Sequence, residues 1–369
     1  MKIRDLLASF SLLFFFVDAG ALAENTPVSV TGYSGEVQCQ KYANTTPLCF
    51  FSNPEDLALL PDKETLLVSE FGDNHGTEPG ALVFYDITTQ TRRLGYSGDS
   101  HEQPTEYWGD KSCEDPPGTV FSPHGIDLSQ RADGRWQLLV VQHGGRESIE
   151  FFELVDTDRV PRLLWRGCAV ASEDTSLNSV AAGRDGELFA TKMQSTSSSW
   201  NADPGSPSGL VYRWSKRSGF DPVPRSEGHM LNGIAASKDG KTLFVVYSGE
   251  NLVKKIDAQS GEVLDSAVVK SVDNIKWSAD AQVLVAASFT GSASVDDFAR
   301  CTSAELGVCP IAFSIVELNP GSLEEQTLFY DPNAPMGAGT VGLKVGSTLF
   351  IGTFSGNRIL QVDMAEPGH

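Results

Sequence analysis

Short apolar runs separated by polar turns recur along most of the chain. Six segments share one pattern: an apolar run, a turn carrying Asp or Gly, then a second apolar run. They span residues 57–68, 126–141, 180–190, 234–245, 275–285 and 341–351. Each predicts a β-hairpin, because apolar runs around a tight Asp or Gly turn are a strong short-range hairpin signal. Further strand-like runs follow several of them, at 81–85, 149–154, 210–214, 252–256 and 358–362. Two hairpins per unit make about four strands, and the units repeat every 57 residues or so, at about the interval of propeller blades. Long runs of 3.6-residue periodicity are missing. The pattern therefore predicts an all-β chain, a six-bladed β-propeller with four-stranded antiparallel blades. A two-sheet sandwich or a pair of domains accounts less well for six matched hairpins.

The repeat also sets a register. Two positions before the first apolar residue of each unit stand Glu55, His124, Asn178, Asn232 and Asp273, with Gly339 in the sixth. The first strand of a blade is usually the innermost, so these positions should converge on the central channel at one face. Asn274, next to Asp273, could turn inward with them. Any one Asn or Asp there reads equally well as a turn or strand cap. A ring of two carboxylates and two or three amide oxygens reads as a cation site. Hard oxygen donors without thiolate suit Ca²⁺, which takes 6–8 oxygens in flexible geometry. Zinc would call for His or Cys.

His143 ends the apolar run 138–143 and closes the same hairpin that His124 opens, so the two imidazoles can meet and relay a proton. His75, His101, His229 and His369 have no such placement. The Asp73-Asn74-His75-Gly76 stretch has donors for a surface cation but reads better as a turn. Neither a nucleophile elbow nor a phosphate-binding loop occurs.

Composition adds the setting. The chain has 369 residues with 28 Lys and Arg against 48 Asp and Glu, a net charge of −20. That excess of acid argues against a nucleic-acid partner, and 40% apolar residues exclude general disorder. Lys2 and Arg4, an apolar run over 6–17 and the small residues Ala21-Leu22-Ala23 predict a signal peptide over 1–23. The remaining 24–369 is expected to form one propeller domain, secreted or periplasmic, with no transmembrane segment. Export places six cysteines in an oxidising compartment. Cys301 and Cys309 flank a short polar segment and are expected to pair, with Cys39–Cys49 and Cys113–Cys168 completing the set. None forms the close pair typical of structural zinc. Asn44-Thr45-Thr46 is a glycosylation sequon. The Ser-, Asp-, Pro- and Gly-rich stretch 195–208 is a candidate lid or a plain exposed loop.

Several of these residues sit in motifs resembling a known family. Phe121-Ser122-Pro123-His124-Gly125-Ile126 resembles the segment that carries the catalytic His of the serum paraoxonases, and 138–143 resembles the one carrying their second His. Pro54-Glu55-Asp56-Leu57, Leu177-Asn178, Leu231-Asn232-Gly233-Ile234 and Val272-Asp273-Asn274-Ile275 resemble their calcium-ligand segments. Residues 339–353 resemble their last blade. The likeness runs with gaps from about residue 53 to 364, and places the chain near the wider gluconolactonase-like superfamily. It implies a catalytic Ca²⁺ held by Glu55, Asn178, Asn232, Asp273 and Asn274, and hydrolysis of a small lactone or ester with His124 and His143 as a dyad. A second, structural Ca²⁺ of that family would leave Asp56 and the Ile126 carbonyl as donors here, but Ser179 stands where the family has an Asp ligand. The family's disulfide between the chain ends has no counterpart.

Together these readings predict a calcium-dependent lactonase or arylesterase whose rate rises through a pKa near that of histidine. Two alternatives stand beside it. One is a hydrolase of the same fold driven by a metal-bound carboxylate. The other is a non-catalytic propeller that binds a partner on its face.

Overall fold

Several of the hairpin turns are built by their own polar residues. In the first, Asp62 Oδ1 accepts from the Glu64 and Thr65 backbone N–H groups at 2.9 and 3.0 Å. In the fourth, Asp239 Oδ1 accepts from Ser237 Oγ and the Lys241 N–H. Such side-chain-to-backbone bonds let Asp hold a turn that a bulky residue could not. In three of the turns a glycine directly follows the Asp, and Gly134, Gly186 and Gly240 take a positive φ of 87°, 82° and 63°.

The computed structural model describes residues 39–73, 76–98, 104–156, 160–195, 207–290, 311–332 and 334–365, with residues 28–29, 36–37, 297, 301 and 309. The proposed signal peptide and most of 195–208 lie outside the described residues, as do Asn74, His75, His101 and His369.

The hairpins assemble as the pattern predicts, into six four-stranded antiparallel blades. Blade one is Pro54–Leu59, Thr65–Glu70, Ala81–Asp86 and Thr91–Tyr96. Blade two is Pro123–Gln130, Trp136–Gln142, Ser148–Val155 and Arg162–Val170. Blade three is Ser176–Ala182, Leu188–Gln194, Leu210–Ser215 and Gly219–Pro222. Blade four is Leu231–Ala236, Thr242–Tyr247, Leu252–Asp257 and Val263–Val268. Blade five is Val272–Trp277, Leu284–Phe289, Phe313–Leu318 and Glu325–Tyr330. Blade six takes Gly339–Val345, Thr348–Thr353 and Ile359–Asp363 from the end of the chain and Thr45–Leu48 from its beginning.

That last strand closes the ring. Ile359 pairs with Leu48 and Val362 with Thr45, so hydrogen bonds join the two ends where no disulfide does. The glycosylation sequon turns out to enter this strand: the Asn44 amide donates to the Asp363 carbonyl at 3.1 Å. All three expected disulfides are present. Cys39–Cys49 brackets the closing strand. Cys113–Cys168 pins the loop after blade one along the outer strand of blade two, where Trp108 and Asp110 N–H groups bond the Arg166 and Cys168 carbonyls.

The core lies between blades. Leu67, Leu82 and Phe84 of blade one pack with Ile126, Leu138 and Phe152 of blade two, and similar clusters fill the other seams. The middle strands are buried on both faces, as in Leu138 to Val141, all wholly inaccessible. The outer strand Val263–Val268 is largely exposed. This gradient explains why inner hairpins read clearly in the sequence and outer strands poorly: only a strand buried on both faces must be apolar at every position.

Candidate functional site

The inner strand of every blade breaks register near its start. Pairing skips from Pro54 to Asp56, Pro123 to Ile126, Leu177 to Val180, Leu231 to Ile234, Val272 to Ile275 and Gly339 to Val341. A bulge frees residues from the ladder and re-aims their side chains. The freed residues include Glu55, His124, Asn178, Asn232, Asp273 and Asn274, all of them buried. Their neighbours are small because inner strands crowd together there. A Cβ on Gly125 would lie 2.6 Å from the Asn178 carbonyl oxygen, and one on Gly233 would lie 2.5 Å from the Ile275 nitrogen.

The sixth blade contributes Thr340, not the Gly339 that the repeat register indicates. Thr340 Oγ1 donates to the Glu55 carbonyl at 2.7 Å, which ties the last blade to the first beside the ring. Blades one and six each skip a single residue, but Thr340 lies one position before Val341 where Glu55 lies two positions before Leu57. An aligned repeat could not show this.

The polar ring is short of partners. Asn274 Nδ2 donates to Glu55 Oε1 at 2.6 Å. Glu55 Oε2 and the Oδ1 atoms of Asn178, Asn232 and Asn274 are buried and accept no hydrogen bond from the protein. Leaving a buried acceptor unsatisfied costs on the order of 1–3 kcal/mol, so four in one place call for a common partner. Burial pushes the Glu55 carboxyl well above the usual carboxylate range, with further push from Asp56 and Asp273. Burial, and then Asp56, push Asp273 up to about 7. Two buried carboxylates and three amide oxygens, with four of their oxygens unpartnered, fit a hard divalent cation. Among the described residues no group of three or more His, Cys, Asp or Glu forms a metal-holding cluster, since most donors here are amides.

The two histidines meet. His124 Nδ1 lies 2.9 Å from His143 Nε2. His124 stacks on Phe71, ring centroids 4.6 Å apart and planes 26° from parallel. Its Nε2 is 3.6 Å from Glu55 Oε1. Burial, and next the neighbouring His143, hold His124 well below its ordinary 6.5. A residue missed by the sequence reading extends the pair: Glu147 Oε2 lies 2.9 Å from His143 Nδ1. Its one signal was its position four residues after His143 in the same turn. His229 stays apart, with Nδ1 3.5 Å from Ser208 Oγ.

The second group of donors is engaged differently. Asp56 Oδ1 accepts from the Leu57 N–H and Oδ2 from the Ile126 N–H, both at 2.7 Å. Lys276 Nζ lies 2.9 Å from Asp56 Oδ2 and donates also to the Ile126 carbonyl. An ammonium group thus bridges the two donors assigned to a structural calcium. Burial raises the Asp56 carboxyl, and Lys276 opposes that rise.

No curated protein sequence matches the chain. Among solved structures, luciferin-regenerating enzyme is 13% identical, over 85% of this chain and 92% of its own, with a TM-score of 0.50. A protein assigned as a gluconolactonase is 15% identical over 89% and 94%, also with a TM-score of 0.50. A gluconolactonase from Xanthomonas campestris is 16% identical over 93% and 96%, at 0.49. At such identities the likeness concerns the fold. The sequence model of the SMP-30/Gluconolactonase/LRE-like region matches residues 76–285, a span that includes His124, His143, Asn178, Asn232, Asp273 and Asn274 and leaves out Glu55. With more than half of its length inside that match, the chain belongs to the SMP-30/gluconolactonase/LRE-like family.

Proposed function

We propose that this protein is an exported, calcium-dependent hydrolase of small lactones or esters, of the paraoxonase-like kind. The observation that carries the reading is four unpartnered buried oxygens, on Glu55, Asn178, Asn232 and Asn274, beside a histidine pair whose outer nitrogen faces Glu55. Asp273 completes the ring. The family is one of lactonase-like hydrolases, and three disulfides suit an oxidising compartment.

Calcium held by this ring would polarise the substrate carbonyl and offset the oxyanion charge. His124 takes the proton of the attacking water through Nε2. Its depressed basicity keeps it neutral, and so able to accept, across the neutral range. His143 holds the other nitrogen, and Phe71 fixes the plane of the ring. The bulges of adjacent inner strands supply His124 and the ring oxygens together.

The test is a panel of lactones and aryl esters assayed with and without EDTA, alongside elemental analysis of the purified protein. Bound calcium, hydrolysis, and joint loss of both in chelator are expected. Calcium-free protein with chelator-insensitive melting and no hydrolysis overturns the reading. The carboxylate-driven alternative draws on Glu55 and Asp273, the two carboxylates of the ring. Full activity of His124→Gln would favour it.

A further inference from the structure

Glu147 sits between the histidine pair and the next blade. It ends the turn that joins the second and third strands of blade two. Oε2 faces His143 Nδ1 at 2.9 Å, and Oε1 accepts from the Leu177 backbone N–H at 2.5 Å. Leu177 immediately precedes Asn178. The side chain of His143 is 1% exposed and that of Glu147 15%, so little water competes for either contact.

Donor and acceptor roles follow along this chain. A carboxylate oxygen only accepts, so the proton of neutral His143 rests on Nδ1. His143 Nε2 then carries a lone pair and accepts from His124 Nδ1–H. That leaves the lone pair of His124 on Nε2, the nitrogen facing Glu55 and the ring. Resting on the proposed hydrolase reading, we propose that Glu147 is a positioning residue: through His143 it sets the tautomer of His124 and so presents the basic nitrogen to the channel. Carboxylate–imidazole pairs elsewhere orient a catalytic ring in the same physical way.

The Leu177 contact makes the arrangement hard to reverse. The Leu177 N–H is a fixed donor, so Oε1 is committed to it and Oε2 is left for His143. In Glu147→Gln one oxygen must serve both donors. It stays with Leu177, and the new amide N–H turns to His143 Nδ1. His143 then holds its proton on Nε2 and donates to His124 Nδ1. His124 in turn is protonated on Nε2, where it can no longer accept a proton from water.

The experiment is nitrogen-15 NMR of the labelled imidazoles at one fixed pH, with lactone kinetics on the same samples. The parent is expected to show both histidines protonated on Nδ1, and Glu147→Gln to show both protonated on Nε2. The variant's kcat should fall roughly 10–100-fold, the usual loss when an orienting partner is removed. KM, calcium affinity and melting temperature should stay near parental values. Glu147→Asp keeps an acceptor-only carboxylate and should retain the parental tautomers and more of the rate. Parental tautomers unchanged in Glu147→Gln, or a parent already protonated on His124 Nε2, overturn the proposal. So does a fall in kcat that merely tracks lost calcium or lost stability. A parent that hydrolyses nothing removes the proposed function, while the tautomer readout still decides the role of Glu147.

Discussion

Half-buried Lys276 and fully buried Asp56 form an ion pair, Nζ to Oδ2 at 2.9 Å, and the same ammonium group donates to the Ile126 carbonyl. The pair lies on inner strands of blades five and one. It neutralises a carboxylate that the fold has removed from water, and does so with a covalently attached cation.

That pair should show in stability. Removing one partner of a buried pair typically costs about 3–5 kcal/mol, because the other charge stays buried alone. Lys276→Met keeps the length of the side chain and is expected to lower the urea midpoint accordingly. Elemental analysis of the parent should find one calcium per chain, since Lys276 takes the donors of a second site. An unchanged midpoint in Lys276→Met, together with two calcium ions in the parent, would show that the ammonium is a bystander.

The ring makes its own demand. Asp273→Ala should lose calcium affinity, since it removes one of only two carboxylates at the site. Chelation of the parent should lower melting temperature and abolish hydrolysis together, because an ion that binds only the folded state stabilises it by mass action. Calorimetric titration with calcium and thermal scans in EDTA check both statements.

His124→Gln separates base from metal. Activity should fall roughly 10²–10⁴-fold, the usual worth of a general base, with calcium content and melting barely changed. The parental rate should rise with pH through a limb below 6.5, since burial and His143 depress His124. The sequence alone placed that limb near the ordinary histidine value. A pH–rate profile of the parent, set against the variant, measures the displacement.

Metal-free protein should respond to pH in a definite sense. Asp273 is 3.8 when unfolded and is pushed up to about 7 in the fold. Between those values the folded chain holds a proton that the unfolded chain has released, so this group's contribution to stability falls as pH rises through the window. Glu55 acts in the same direction. His124, depressed by burial, acts in the opposite direction up to 6.5. Denaturation in EDTA across this range should therefore show a decline in the parent that is shallower in Asp273→Asn. With saturating calcium the trend should reverse, because the ion competes with protons for the same oxygens. A parent and an Asp273→Asn variant with the same pH dependence would mean that the carboxylate is not held neutral.

Much of this site is legible in the amino-acid sequence. Leu57, Ile126, Val180, Ile234, Ile275 and Val341 each follow the bulge of an inner strand and are buried, so each had to be apolar and the repeat was visible. The spacing also brought forward Glu55, His124, Asn178, Asn232 and Asp273, because a bulge recurs at the start of each inner strand and frees the residue two positions before the reference apolar residue in five of the six. Thr340 escaped because the bulge of its blade frees the residue one position before Val341, where the other blades free a residue two positions before the reference apolar residue.

The chain's own pattern determined the blade count, the turn positions, the ring register and the pairing of Cys301 with Cys309. These rest on local periodicity and short spacing. Only the folded ring decided that Thr45–Leu48 would complete the sixth blade, that Lys276 would bridge Asp56 and the Ile126 carbonyl, and that Glu147 would reach both His143 and the Leu177 N–H. Each of these joins different blades or opposite ends of the chain. The physical reason is that closing a propeller brings together residues whose separation in sequence carries no period, and burial then leaves their charges and hydrogen bonds no partner but one another.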